Sequence, residues 1–468
     1  MVHTSQLSTH VGSNVSAARM PSSAARIASA SLDGIGLRAL ADGLVIANNI
    51  AAQDAIEIDT QAFSRTGTFS SVTGLSGFGA PFNAQVDYTS TLVNIRLAPA
   101  SLVTLAGTPI NANALQVASA FDRAVAGGYN PQAFFNLYTQ GANMRSALGQ
   151  LSGEIHSAER RVAMEDTRVI RETALDRLNS GLAAGGSTQT ASTAQADAET
   201  TMWLRGVGSW GTAKGDSVGS RFTTEQIGVL TGLDYAKGGF KVGAAFTFTQ
   251  NDIESVIGDA RVRSTGGALY AGYRDVSGFS VGVGGSMAGT RSTSNRAITA
   301  PGLTQALRGS VGGTTYQLFG ELAYDIAASA TAQVTPFARY AYVNHRSNAF
   351  GETGGIAAVN GVRENNDLSV ITAGLRAGFQ IGGGSTITGS AGWQTITGDR
   401  SPLATLSLTG VNQPMNIFAA ALDKNAAALE AKANFRVGTN ATIGIGYSGV
   451  IGSNNQDHGA RATLSLGF

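Results

Sequence analysis

The chain has 468 residues, of which 13% are charged, with a net charge of +1 and no cysteine. Near-neutrality argues against nucleic acid as the main partner, and the missing cysteines exclude a disulfide framework or a thiolate metal site. No apolar run reaches the roughly 18 residues a helical span requires, so a closed barrel of strands is the one way this chain can cross a bilayer.

The N-terminal stretch MVHTSQLSTHVGSNVSAARM lacks a compact apolar core behind a basic start, and so does not read as a signal peptide. An exported chain would need a leader encoded upstream, or a start other than Met1. Residues 1–60 are rich in Ser, Ala and Asp and read as weak β-structure or disorder. Residues 61–110 have more order, with strand-like pieces from Phe82 to Leu97 (FNAQVDYTSTLVNIRL).

Residues 111–180 change character. Leu115, Ala118, Phe121 and Val125 recur at helical spacing until Gly127, Gly128 and Pro131 interrupt. A second helical piece is predicted at about 132–139. A third begins near Met144 and runs, with a possible break, to Leu178. Its later part, MEDTRVIRETALDRL, is charged on every side. Such a helix is either a solvent-exposed connector or a helix inside a polar channel. Residues 181–199 (GLAAGGSTQTASTAQADAE) form a Gly/Ala/Ser/Thr linker.

From Thr201 onward the pattern is strand after strand. The count is twelve, with ten or fourteen as even neighbours: about 201–210, 223–236, 239–251, 259–275, 277–291, 308–327, 331–346, 365–381, 384–398, 425–438, 440–450 and 457–468. Phe240, Val242, Ala244, Phe246 and Phe248 alternate with Lys241, Gly243, Thr247 and Thr249, and Ile371 to Phe379 and Leu429 to Val437 repeat the pattern. A soluble sandwich also alternates. Here, however, the polar face carries small residues and spaced charges, as a lumen would. The predicted strands are also longer than the usual 5–6 residues or so. Connections alternate between short (237–238, 276, 328–330, 382–383, 439) and long (211–222, 252–258, 292–307, 347–364, 399–424, 451–456), as in an outer-membrane barrel. Tyr270, Tyr273, Phe279, Tyr316, Tyr324, Tyr340, Tyr342, Trp393 and Tyr447 are candidates for interfacial belts.

Several stretches then take on a shared meaning: WLRGVGSWG at Trp203 to Gly211, GVLTGLDY at Gly228 to Tyr235, LYAGYRD at Leu269 to Asp275, VTPFARYAY at Val334 to Tyr342 and the terminal LSLGF. In this order they resemble the C-terminal translocator β-barrel domain of autotransporters (type V secretion). Upstream, FNAQVDYTSTLVNIRL resembles the closing segment of a passenger β-helix. NANALQVASAFDRA and LSGEIHSAERR resemble the helical linker.

The resemblance implies three regions: a passenger remnant at 1–110, partly disordered or β-rich; a helical linker at 111–199 with a pore helix at about 160–182; and an all-β membrane barrel at 200–468. It implies Gram-negative outer-membrane insertion and export and surface anchoring of the chain's own passenger. The N-terminal region would then lie at or beyond the cell surface. Implied partners are outer-membrane lipid and lipopolysaccharide, periplasmic chaperones and the barrel-assembly machinery. That machinery would recognise a terminal assembly signal of Leu464, Leu466 and Phe468, although Phe468 also reads simply as a lipid-facing aromatic. The pore helix would present Arg161, Glu165, Arg168 and Glu172 to pore-lining Arg376, Glu430, Lys432, Arg436 and Arg461. A diffusion porin and a surface adhesin-like structural protein are the alternatives.

No chemistry competes with this reading. Asn179 is followed by Ser180 rather than by a second asparagine, so self-cleavage is not assigned. His156 sits in a charged helical stretch and reads as a surface residue, and the histidines show no metal spacing. DRSP at Asp399 to Pro402 reads as a loop, and GLSGFGA at Gly74 to Ala80 as a turn rather than a nucleotide loop. There is no nucleophile elbow or acid pair. The expectation is a protein without catalysis, cofactor or metal.

Overall fold

The computed structural model describes residues 81–88, 93–180, 199–329, 331–438 and 440–468, together with short strands at Leu7–Thr9, Ile27–Leu32, Ile35–Leu40, Gly43–Ala47, Ile58–Thr60 and Ser71–Thr73. The turn expected at 74–80 and nearly all of the 181–199 linker lie outside the described residues.

Two compact units are present, one of residues 1–110, 118–148 and 300–303, the other of 111–117, 149–299 and 304–468. In the first, the strands Phe82–Tyr88 and Val93–Pro99 pair antiparallel. Helix α1 (Leu102–Ala106) is capped by Ser101, whose Oγ accepts from the Thr104 N–H at 3.2 Å. Helix α2 (Ala112–Ala126) buries Ala118, Phe121 and Ala124, and ends where Gly128 takes φ +91°. Phe121 meets Phe134 edge-on at 5.0 Å, and Phe82 stacks on Phe135 at 4.6 Å. Short α3 (Phe135–Tyr138) and α4 (Met144–Leu151) follow. From Gly149 the chain belongs to the second unit, where Gly153 (φ +70°) precedes α5 (Ile155–Glu165), which runs on through helical Asp166 into α6 (Thr167–Asn179).

The second unit is a closed barrel of twelve antiparallel strands: β1 (Glu199–Ala213), β2 (Phe222–Lys237), β3 (Phe240–Ser255), β4 (Gly258–Arg274), β5 (Phe279–Ala300), β6 (Leu303–Tyr324), β7 (Ala332–Ser347), β8 (Glu364–Gly382), β9 (Ser385–Gly398), β10 (Asn425–Val437), β11 (Ala441–Gly452) and β12 (Asn455–Gly467). Each strand pairs with its sequence neighbours, and β12 returns to β1 with Leu464 opposite Leu204 and Leu466 opposite Met202. The chain end completes the seam: the Phe468 N–H donates to the Thr200 carbonyl at 2.8 Å. Closure leaves no unpaired edge.

The alternation has an inverted sense for a soluble protein. Leu204, Val229, Phe246, Leu269, Leu318, Leu375, Ile445 and Leu464 all face outward and are exposed, whereas Arg205, Asp234, Lys241, Gln317, Glu321 and Arg376 are buried inside. An apolar wall of this extent is stable only against hydrocarbon.

Two expectations are corrected here. Residues 252–258, 292–307 and 451–456 are mostly strand, not loop: β3 and β4 meet at a two-residue turn, β5 and β6 run as 22-residue strands to the turn at Pro301–Gly302, and β11 and β12 meet at the two-residue turn Ser453–Asn454. The distal halves of β5 and β6, such as RSTSNRAITA, rise past the apolar band, so they carry no outward hydrophobic signal. Tyr270 does not belong to an outer belt; it is 4% exposed and bonded to Asp234 inside. Its outward-facing neighbour is Leu269, because Tyr270 shares the parity of the lumen residues.

Leu375, mid-strand and 57% exposed on the outer wall, gives a direct test. Leu375→Arg should destabilise the membrane-inserted barrel by about 2–4 kcal/mol, measured by denaturant unfolding in bilayers. Leu375→Val should be near neutral.

Candidate functional site: the helix in the lumen

The α5–α6 segment occupies the barrel interior, and its charges meet strand residues in layers. The innermost layer centres on Asp234 of β2. Its carboxylate accepts from Arg177 Nε at 2.6 Å and Trp203 Nε1 at 3.3 Å, and from the Tyr270 hydroxyl. The Arg177 guanidinium also lies 5.6 Å over the Trp203 ring. Gly232 makes room for that ring, since a Cβ there would stand 2.5 Å from Trp203. Lys241 Nζ donates to the Ser180 carbonyl at 2.9 Å, placing a cation at the C-terminus of α6, where the helix dipole favours one.

The next layer is built on Asp176. Lys432 Nζ lies at 2.9 Å, and Arg205 Nη1 and Arg461 Nη2 at 3.3 Å each. Arg461 continues to Glu430 at 3.3 Å, Glu430 to Arg339 at 3.1 Å, and Arg339 to Glu321. Glu321 holds Arg376 at 3.0 Å and accepts from Asn179 Nδ2 at 2.8 Å. Arg376 therefore reaches α6 through a shared carboxylate. Arg436 lies at the exposed end of β10 with its side chain beside Gly384.

Further along, Arg168 pairs with Asp457 and lies 3.8 Å from Glu172, which is 4.0 Å from Arg461. Asp166, at the α5–α6 joint, accepts from Thr249 Oγ1 at 2.6 Å, Gln226 Nε2 at 2.5 Å and Asn251 Nδ2 at 3.2 Å. A cavity of about 110 Å³ remains beside the helix, bounded by Arg168 and Arg171 on one side and Val343, Val370, Ile396 and Val450 on the other.

Beyond the band, a second small sheet forms from Phe350–Gly351, Val359–Gly361, Leu403–Leu408 and Pro414–Phe418, two of the long connections folded together. It grips α5: Ser157 Oγ donates to the Ile417 carbonyl at 2.8 Å and Arg160 Nη1 to that of Leu403 at 2.7 Å. Arg161 donates to the Ala420 carbonyl and Asn455 Oδ1, both at 2.6 Å, and pairs with Glu165 at 3.2 Å. His156 is 1% exposed, which overturns its reading as a surface residue. Its Nε2 lies 2.8 Å from Glu352 and its Nδ1 3.1 Å from Glu159, while Arg296 grips Glu352 through two hydrogen bonds at 2.8 and 2.6 Å. Burial by itself would raise the Glu352 carboxyl, but the hydrogen bonds and charges of Arg296 and His156 outweigh it and hold the group well below 4.5.

Residue parity within each strand locates the lumen side chains, and Arg205, Asp234 and Asp457 share the parity that marks Lys432 and Arg461. The loop sheet carries a weaker signal, the alternation in LATLSL and PMNIF, within a stretch that otherwise reads as connection.

A barrel apolar outside and charged within, threaded by a helix, is a translocator-type outer-membrane β-barrel with extracellular-facing loops. The chain belongs to the autotransporter β-domain family, whose model matches residues 202–448. The chain is also 27% identical over 336 residues to an extracellular serine protease of Serratia marcescens, which covers 71% of this chain and 32% of that protein. A second extracellular serine protease of that organism matches at 27% over 339 residues. The chain thus spans about a third of the length of these curated relatives. The fold is similar to the translocator domain of the autotransporter NalP from Neisseria meningitidis, with a TM-score of 0.51 and 14% identity, covering 65% of this chain and 96% of that one. The structural match is thus to a translocator domain, and it shows the barrel fold.

Two outcomes follow from the charge layers. Asp176→Ala leaves Lys432 and Arg205 in the lumen without their carboxylate and removes one of Arg461's, and should cost about 3 kcal/mol, read as a lower unfolding midpoint in denaturant. Asp176→Glu should recover part of it. For Glu352, the folded value lies below the unfolded one, so its stabilisation is complete above about pH 4.5 and is lost as the pH falls through the depressed value. Glu352→Gln should therefore lower the thermal midpoint at pH 7, and the gap to wild type should narrow steadily below pH 4.5.

Proposed function

We propose that this barrel exports an upstream passenger through the outer membrane and then anchors it, with the α5–α6 helix left in the lumen as the trace of that passage. The observation that carries this reading is the threading itself, a charged helix seated along the lumen on Asp176, Asp234 and Asp457 contacts. In it, residues 1–110 act as the end of the passenger, 111–199 as the linker and 200–468 as the anchor. The N-terminal region then lies at or beyond the cell surface. Arg161, Glu165, Arg168 and Glu172 on the helix and Arg376, Glu430, Lys432 and Arg461 on the strands act together to hold the helix and limit leakage, while Arg436 stands outside this set at the exposed end of β10. No cofactor or nucleotide enters, since the energy comes from folding and insertion. A diffusion porin needs an open lumen, which the seated helix does not leave. An adhesin-like role belongs to the passenger and is compatible with anchoring.

Periplasmic chaperones would carry the unfolded barrel. The assembly machinery would receive it by the last strand, reading Leu464, Leu466 and Phe468. Those three side chains face outward, Phe468 at 77% exposure, and their strand must find β1 to close the sheet. Outer-membrane lipid and lipopolysaccharide complete the set of partners.

The test is a signal peptide and epitope tag placed before residue 1, expressed in a Gram-negative host. The tag should be accessible to antibody on intact cells. A folded, heat-modifiable barrel with the tag confined to the periplasm would overturn the reading. Deleting Phe468 should cut the amount of folded outer-membrane barrel several-fold at unchanged synthesis.

A further inference from the structure

The outer wall carries an arrangement that the export reading leaves unused. On β4 and β5, Arg263 and Arg291 stand directly opposite each other across the strand pair, both exposed on the outward face. Directly opposed like charges destabilise a sheet unless something between them is negative. No carboxylate answers either one among the described residues: Arg263 Nε donates to Gln250 Oε1 at 3.1 Å, a neutral acceptor, and Arg291 makes no polar contact. The contrast with Arg261 is local and informative, because Arg261 is matched by Asp252 at 2.5 Å on the adjacent strand. Two strands further on, Arg346 of β7 faces outward as well, its guanidinium 5.5 Å over the Tyr316 ring and its Nε bonded to the neutral Asn344 Oδ1 at 3.2 Å.

Directly below these arginines the wall becomes an open groove of about 730 Å³. Gly267 and Gly285 form its floor, and Leu269, Met287, Tyr316 and Leu318 its sides. The register makes it a trough: Gly267 lies opposite Met287 and Leu269 opposite Gly285, so each large side chain faces a missing one. Arg291 is four residues along β5 from Met287, roughly 13 Å at about 3.3 Å per residue. A cationic rim at the extracellular end and an apolar trough running into the bilayer match one kind of occupant end to end. It must carry phosphate at its head, for the guanidinium fork, and acyl chains below.

We propose that β4–β7 form a binding site for a phosphorylated, multiply acylated glycolipid of the outer leaflet, its phosphate bridging Arg263 and Arg291 and an acyl chain lying in the Gly267–Gly285 trough. The proposal rests on the outer-membrane placement of the barrel and names the lipid face that such a molecule occupies. The phosphate removes the repulsion between the two arginines, so the bound lipid also stabilises the β4–β5 pair beyond the band. Arg346, placed over the Tyr316 ring, supplies a third cation to the same headgroup.

The experiment uses the full chain refolded in detergent, with bis-phosphorylated lipid A as the probe and its dephosphorylated form as the comparison. Lipid retained on the folded protein is counted by native mass spectrometry. Wild type should retain the phosphorylated form in preference, and Arg263→Gln/Arg291→Gln should bind it roughly tenfold more weakly. Met287→Trp, which fills the trough, should weaken both lipids. Lys237→Gln, on another strand at the opposite end, should change nothing. Heat-modifiability confirms that each variant is folded before its binding is scored, and Arg263→Lys/Arg291→Lys, which keeps the charge, should restore part of the affinity. Equal binding by wild type and the double Gln variant would overturn the proposal. So would full competition by inorganic phosphate, which would mark a simple anion site, or preference for an acidic peptide over the lipid. Failure here with a surface-exposed epitope tag leaves export standing and removes only the lipid site.

Discussion

The Asp176 carboxylate gathers Lys432, Arg205 and Arg461 from β10, β1 and β12. Two of those strands form the seam where the sheet closes. In a lumen walled by hydrocarbon-facing strands the field of one carboxylate is less screened than in water, so each cation depends on the helix, and the helix on them. Remove the helix and Arg461, Arg339 and Arg376 keep the strand acids Glu430 and Glu321, whereas Arg205 and Lys432 lose the carboxylate that answers them. The lumen is thus built for an occupied state, with carboxylates supplied partly by the wall and partly by α6.

This interior imposes the rest of the architecture. A charged inside requires an apolar outside if the barrel is to sit in a bilayer, and that fixes the parity of every strand. Parity in turn decides which aromatic residues are structural. Trp203 and Tyr270 share the inward parity, and they serve Asp234 through their N–H and O–H groups while packing against Gly232 and Gly243. Aromatic residues of the other parity, such as Tyr340 and Trp393, remain exposed at 50% and 59% and face the membrane.

Beyond the membrane band the logic changes. There the strands need no apolar outer face, so β5 and β6 continue as polar ribbons, and two long connections fold into a sheet that clasps α5 through backbone carbonyls. The buried set of His156, Glu159, Glu352 and Arg296 belongs to this region. Each ring nitrogen of His156 meets a carboxylate, so helix and loop are joined by charge within the apolar packing of Ile155, Val359, Leu406 and Ile417.

The sequence by itself determined the twelve strands, the short connections on one side, most of the outward-facing residues and the charged helix, because a residue's parity in a long strand is a local property and a two-sided wall repeats it many times; half of the expected long connections are instead two-residue turns. It also placed Lys432 and Arg461 on the inner face. Tertiary structure alone decided which charges meet. Arg376 finds Glu321 rather than a helix acid, and Asp234 becomes a hub, because partners across a lumen are set by strand register and barrel curvature, which no linear spacing encodes. The same holds for His156, a lone histidine in a polar helix whose burial depends on the connection carrying Glu352 folding back over it. Where both faces of a strand are polar, as at 292–296, alternation vanishes from the sequence, and only hydrogen bonding to the neighbouring strand reveals that the sheet continues.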